Sequence, residues 1–224
     1  MLYKTKIINL DVDTNVDFMA KRGKLYVPNS ESITQNIGKL TQNALINKRV
    51  ILSPSDAHYG TIDKSVVEGA ELDVYGEHCI KGTPGAEKIP ESLIAQRITL
   101  PSEKLAPTVL EQISIYQQII FEKQSIDVFY TENNQGGSQN FEKALKLLSV
   151  KFAIVYGVVS HICVLAAVLG VLSRGIQVCV VTDAIKELDA VAHQEALDTM
   201  EKAGAKFITT EQVTTWSSFQ KLFN

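Results

Sequence analysis

The chain has 224 residues, 45% of them hydrophobic and 21% charged, with a formal net charge of −3 at pH 7. That length suits one core better than two, and the composition excludes a disordered or collagen-like chain. The slightly acidic balance argues against nucleic acid or an anionic membrane as the main partner and for a small, weakly charged ligand.

The opening MLYKTKIINLDVD has no apolar core or cleavage site of a secretory signal, and no run reaches the ~18 apolar residues of a membrane span, so the cytoplasm is the expected location. Short β-branched runs at 6–12, 49–52, 119–122, 152–156, 177–181 and 206–208 read as six strands. Helical spacing marks 32–46, 141–148, 162–172 and 191–203, with Gly175 and Gly204 as stops. The alternation predicts a three-layer α/β fold, a six-stranded, mainly parallel sheet with helices on both faces, as a single domain over 1–224. The helix at 162–172 is apolar nearly all round, which predicts that it lies deep. Residues 54–117 are irregular and hold Pro54, Pro84, Pro90, Pro101 and Pro107, the mark of a long functional loop. The stretch 132–139, ENNQGGSQ, reads as a polar surface loop.

In open α/β sheets ligands gather at the carboxyl ends of the strands, and reactive side chains fall there. Asp13 ends the first strand, with Asp11 as a rival on the same face. Asp56 and His58 follow the second, Lys123 the third and Cys163 the fourth. Either Asp serves as a general base if burial raises its pKa, and is otherwise a solvated strand-end carboxylate. Cys163 falls in a first helical turn opened by Ser160, an expected N-cap, where the helix dipole predicts a lowered thiol pKa. The bland alternative is a buried structural cysteine, which is the reading given to Cys179. The three cysteines have no C-x-x-C spacing, so no disulfide framework or zinc ribbon is expected, and Cys79 reads as a non-catalytic loop thiol. Asp56, His58 and His78 offer one oxygen and two imidazoles, a set suited to zinc, iron or manganese. His161 borders the nucleophile, and His193 reads as a surface residue of a helix.

Together these segments resemble the nicotinamidase and isochorismatase-like cysteine hydrolase superfamily from residue 6 to about residue 213. DTNVDFM resembles its D-x-Q-x-D-F signature, which favours Asp13 over Asp11 as the catalytic acid, with Asn15 in place of Gln. SPSDAHYG and EHCIKGTPGAE carry the metal residues Asp56, His58 and His78. IFEKQ matches the segment of the catalytic lysine, Lys123, and GVVSHICV that of the nucleophile, Cys163, with Val158–Val159 at the family's cis peptide. The segment TDAIKELDAVAHQEAL resembles the family's stretch after the fifth strand. The resemblance implies an oxyanion hole from the N–H groups of Val159 and Cys163, ring contacts from Phe18 and Tyr75, the latter in place of Trp, and a divalent metal, zinc first. Lys64 stands where some members have a further histidine.

The function this implies is nicotinamide hydrolysis to nicotinate and ammonia, within NAD salvage, through a Cys-Asp-Lys triad and a thioester. The alternatives are another small-amide or ureido hydrolase of the superfamily, a thiol redox sensor, or an inactive metal-bound scaffold. The implied partner is a small-molecule amide, with neither nucleic acid nor membrane, and homo-oligomers are compatible with the sequence.

Overall fold

The computed structural model describes residues 6–60 and 71–215. Seven strands form one sheet: β1 (Ile7–Val12), β2 (Val50–Asp56), β3 (Arg97–Leu100), β4 (Gln118–Lys123), β5 (Phe152–Val158), β6 (Gln177–Lys186) and β7 (Lys206–Ile208). Their order is β3-β4-β2-β1-β5-β6-β7, and every pairing is parallel. From β1 the chain builds outward to β2 on one side and later returns to β5 on the other. The point where the order reverses, between β1 and β5, is where such a sheet opens a crevice at its carboxyl edge.

The helices are α1 (Val16–Met19), α2 (Thr34–Ile46), α3 (Glu71–Tyr75), α4 (Pro107–Glu111), α5 (Phe141–Leu147), α6 (Leu165–Leu172), α7 (Ala190–Lys202) and α8 (Thr210–Thr214). Strand alternation divides the core between the two faces. Ile8, Leu10, Val12, Ala153 and Val155 pack with residues of α5, α6 and α7, while Ile154, Tyr156 and Val158 pack with α1 and α2. On α2 the buried residues Ile37, Leu40, Thr41 and Ala44 recur at three- and four-residue spacing, which turns one stripe to the sheet. Three layers with helices on both faces result. No helix among the described residues is long and apolar enough to cross a membrane.

Three expectations need correction. The sheet has seven strands because β3, a half-exposed edge strand whose inward residue Leu100 alone is fully buried, sits in the proline-rich segment and offers almost no apolar run. β6 extends to Lys186, with a register shift against β5 between Val155 and Gly157. The predicted helix over 162–172 starts as a single π-helical turn, Ser160–Val164, before α6, and α6 buries only Ala167, Val168 and Val171. It is an outer-layer helix whose far side is half-exposed despite being apolar. The helical stops behave as expected, with Gly175 at φ 72° and Gly204 at φ 102°.

Gly157 shows how closely the strands meet at the switch point. Its φ is 120°, and a Cβ there would stand 1.9 Å from the Val12 carbonyl oxygen. Only glycine lets β5 leave the sheet against the end of β1, and this brings the turn after β5 beside the residue after β1.

Candidate active site

Asp13 lies just past β1 with φ 48°, its N–H donating to the Pro54 carbonyl at 3.1 Å and its Oδ1 accepting from the Asp56 N–H at 3.1 Å. Asp56 and Lys123 are the last residues of neighbouring strands and stand in register with each other. The Lys123 side chain is fully buried, with Nζ 2.9 Å from Asp13 Oδ2, in contact with Asp56 Oδ1, 3.0 Å from the Ser125 carbonyl oxygen and 3.9 Å from Cys163 Sγ. Ligand-type atoms of Asp13, Asp56 and Cys163 all fall within 4.8 Å of one another. The structure thus gathers the acid, amine and thiol singled out in the sequence.

Asp11 is a different kind of residue from Asp13. The left-handed turn at Asp13 ends the strand alternation that would have put both on one face. Asp11 binds Lys88 at 3.1 Å, with Thr14 and Ser53 donating at 2.9 and 3.4 Å. Neither Asp is solvated, since both are fully buried.

Burial opposes the charge on Lys123, but the Asp13 and Asp56 carboxylates outweigh it and hold its pKa well above the ordinary lysine value. Asp56 is pushed well up by burial and by Asp13, against the pull of Lys123. The Cys163 thiol is also pushed well above its ordinary value. Burial is the first cause; Lys123 opposes it, and the carboxylates of Asp13 and Asp56 reinforce it. The expected lowering by a helix start is therefore overturned. Sγ rests as a thiol beside carboxylates, which makes a neighbouring base necessary. Ser160 is not the expected side-chain cap either; its Oγ lies 2.8 Å from Nδ1 of His193, which is half-buried rather than a free surface residue.

Beside this cluster, Asp56, His58, His78 and Glu71 converge, all buried, with ligand atoms within 4.8 Å of one another. His58 Nε2 and His78 Nε2 are each 3.9 Å from Asp56 Oδ2, and His78 Nε2 is 3.6 Å from Glu71 Oε1. The set fits a divalent cation by a test independent of resemblance. Asp56 Oδ2, both ring nitrogens of His58, His78 Nε2 and Glu71 Oε2 are buried without hydrogen-bond partners, and such groups call for a partner. His78 Nδ1–H donates to the Gly76 carbonyl at 2.8 Å, which leaves Nε2 as the lone-pair nitrogen. Burial lowers the His58 pKa to about 4, so the ring is the neutral, ligating form at neutral pH.

Hydrogen bonds hold the loop that carries His58 and His78. His58 N–H donates to the Cys79 carbonyl and Lys81 N–H to the His58 carbonyl, at 3.0 and 2.8 Å. Asp17 Oδ2 accepts from the Cys79 N–H at 2.7 Å, and a Cβ on Gly85 would stand 2.2 Å from that same oxygen. The two motifs DTNVDFM and GTPGAE are therefore complementary surfaces of one joint. Asn15 completes it, donating to the Asp56 and Ala86 carbonyls at 3.0 and 2.8 Å. Cys79 lies in this loop, as expected, but is fully buried, and Cys179 is buried in β6.

Glu71 was missed by sequence reasoning. It stands seven residues before His78 in VVEGAELDVYGEH, where Glu68, Asp73 and Glu77 compete for the same role and no spacing rule selects among them. Lys64 lies outside the described residues.

Phe18, Tyr75, Val159, Ile162, Leu188 and Cys163 line a narrow cleft that Glu71 also borders. The Phe18 ring centroid is 5.4 Å from that of His78. The peptide between Val158 and Val159 is cis, as the resemblance implied.

Residues 100–212, just over half of the chain, match the family described as Isochorismatase domain. The chain belongs to the isochorismatase family. A 76-residue stretch is 34% identical to the probable hydrolase YcaC of Escherichia coli (strain K12), covering 34% of this chain and 36% of that protein, so the match spans about a third of that curated relative. The fold is similar to that of a pyrazinamidase of Pyrococcus horikoshii solved in complex with zinc, with TM-score 0.68, 22% identity and coverage of 92% of this chain and 99% of that one. It is likewise similar to that of an N-carbamoylsarcosine amidase from Thermoplasma acidophilum, with TM-score 0.67, 20% identity and coverage of 92% and 97%. At these identities the likeness establishes the isochorismatase-like fold, and the two neighbours' names differ in substrate.

Proposed function

We propose that the protein is a metal-containing cysteine amidohydrolase whose substrate is a neutral aromatic carboxamide of the nicotinamide type. The observation that carries this reading is the convergence of Asp13, Lys123 and Cys163 on one buried point beside the carboxylate and imidazole cluster.

In this mechanism the Asp13 carboxylate takes the Cys163 thiol proton as the sulfur attacks the carboxamide carbon. The Lys123 ammonium holds the acid and the developing thiolate together. The N–H groups of Val159 and Cys163 donate to the oxyanion and stabilise its charge. Asp13 then gives its proton to the departing nitrogen, the C–N bond breaks, and ammonia leaves a thioester. Asp13 next deprotonates a water that attacks the thioester carbon; the acid departs, and the sulfur recovers the proton from Asp13. Asp56, His58, His78 and Glu71 would hold a divalent cation, zinc first, which when bound supplies an electrostatic anchor for a ring nitrogen and so fixes the substrate's orientation. Phe18 and Tyr75 contact the ring.

The cleft's apolar and aromatic lining, with Phe18, Leu25, Tyr75, Val159, Ile162 and Leu188, supports a ring-bearing substrate. A sensor role for Cys163 is disfavoured by its burial, 4% exposed, because sensor thiols are accessible and of low pKa.

The deciding assay is ammonia release from nicotinamide, pyrazinamide, a ureido acid and aliphatic amides, with metal content measured on the same sample. The expected result is a kcat/KM for the aromatic carboxamides at least about tenfold above the others, since one good ring pocket discriminates by that much. Preference for the ureido acid would move the substrate class, and no turnover with reversible oxidation at Cys163 would replace the hydrolase reading by the sensor.

A further inference from the structure

Cys163 sits in a π-helical turn, Ser160–Val164, closed at its end by the Leu165 N–H donating to the Ile162 carbonyl. Within it, the N–H groups of Ile162 and Val164 both donate to the Val159 carbonyl, at 3.0 and 3.1 Å, closing a wide π-helical ring in place of an α-helical ladder. Ser160, which opens the turn, is fully buried, yet its hydroxyl does not cap the helix. It is hydrogen-bonded to Nδ1 of His193 at 2.8 Å. His193 sits in the first turn of α7, where its own N–H donates to the Asp189 carbonyl at 3.0 Å and the Asp189 side chain accepts from Ala192 N–H at 2.7 Å. The imidazole is thus presented by a capped, fixed helix start. His193 does not line the cleft that Cys163 faces, and the mechanism above has no use for it.

We propose that His193 is a positioning residue for the nucleophile: by binding Ser160 it ties the turn after β5 to α7 and sets where Cys163 Sγ stands relative to Asp13 and Lys123. This rests on the reading of Cys163 as nucleophile. The geometry gives a reason for the latch. Sγ is only 3.9 Å from Lys123 Nζ, and a displacement of about 1 Å at a reacting atom can cost on the order of 100-fold in rate. The bond between a buried hydroxyl and an imidazole from a separate helix fixes the turn from outside.

The test uses the full chain with its metal and the variants His193→Ala, His193→Asn, Ser160→Ala and the Ser160→Ala/His193→Ala double. Three readouts are taken: kcat and KM for ammonia release, the rate at which iodoacetamide alkylates Cys163 by peptide mass spectrometry, and the melting temperature. Cys79 and Cys179, both 0% exposed, serve as internal controls. His193→Ala and Ser160→Ala should each lower kcat about 10- to 100-fold with KM within about threefold, and slow Cys163 alkylation by at least about fivefold. The double variant should be no worse than the weaker single, because both remove one bond. His193→Asn, whose side-chain amide reaches the place of Nδ1, should recover to within about threefold of the parent. A folded His193→Ala with kcat and alkylation within twofold of the parent overturns the proposal, as do losses that multiply in the double. If His193→Ala fails to fold, Ser160→Ala decides, and parental kcat there is fatal. If the parent releases ammonia from no amide, the amidohydrolase reading falls, while the alkylation rates still judge the latch.

Discussion

Replacing Lys123 by methionine keeps the volume and removes the charge. The ammonium is fully buried and lies 2.9 Å from Asp13 Oδ2 while also touching Asp56, so the variant leaves two carboxylates facing each other without a cation. At an effective dielectric of about 20, the Asp13 pair at 2.9 Å is worth about 6 kcal/mol before desolvation is counted. Breaking a buried pair on one side costs about 3–5 kcal/mol in practice. A domain of this size loses about 2–4 °C for each kcal/mol, so the metal-free variant should melt about 6–20 °C below the parent at pH 8. The sign with pH follows from the groups involved. The Lys123 pKa is raised in the folded state, so its contribution is complete below the unfolded value of 10.5 and lost only as pH rises through the folded value. The parent's share is flat from pH 5 to pH 9. The Asp56 pKa is already raised by burial and by Asp13, so in the variant a proton taken up there relieves the repulsion as pH falls. The gap between the two proteins should therefore be widest at pH 8 and shrink toward pH 5. Melts followed by circular dichroism in chelator, at pH 5, 6, 7 and 8, measure this directly. Equal melting temperatures throughout, or a gap that widens as pH falls, would refute the charged cluster.

Cys163→Ala should lower ammonia release at least about 10,000-fold, as loss of a nucleophile does, while moving the melting temperature by only a few degrees. Glu71→Gln should weaken zinc binding on the order of 10- to 100-fold in competition with a chromophoric chelator; unchanged affinity would remove Glu71 from the metal set. His58 titrates near 4 when folded against 6.5 unfolded, so the unfolded chain holds one more proton between those values. Stability of the metal-free protein is lost as pH falls from 6.5 to 4, by on the order of 3 kcal/mol, and His58→Gln should flatten that part of the curve in urea titrations. Chelation should raise KM more than it lowers the melting temperature, and collapse of the fold on chelation would argue for a structural metal.

Much of the site was legible because it sits where strands end. Asp13, Asp56, Lys123 and Cys163 each follow an apolar run, and a parallel sheet delivers such residues to one edge. The convergence of Asp56, His58 and His78 into a candidate metal cluster was legible because histidine is scarce, four in the chain. Glu71 was not, because acidic residues crowd its segment and only folding chooses one. The strand β3 escaped for a related reason: an exposed edge strand needs no apolar pattern to pair. His193 read as surface because a helix position alone does not reveal that a buried hydroxyl from another segment needs its ring.

The protonation of the site is the clearest division between the two kinds of information. Position at a helix start predicted an acidified thiol at Cys163, whereas burial beside Asp13 and Asp56 raises it, because desolvation and nearby charge depend on the surroundings in three dimensions. The order of residues along the chain determined the layered fold, the strand-end chemistry and the family likeness, since these follow from periodicity and local spacing. The tertiary structure alone decided which carboxylate pairs with Lys123, which acid completes the metal cluster and which imidazole holds Ser160. Those outcomes depend on distances between segments far apart in the chain, set by the strand order and by the close contact of Gly157 with Val12.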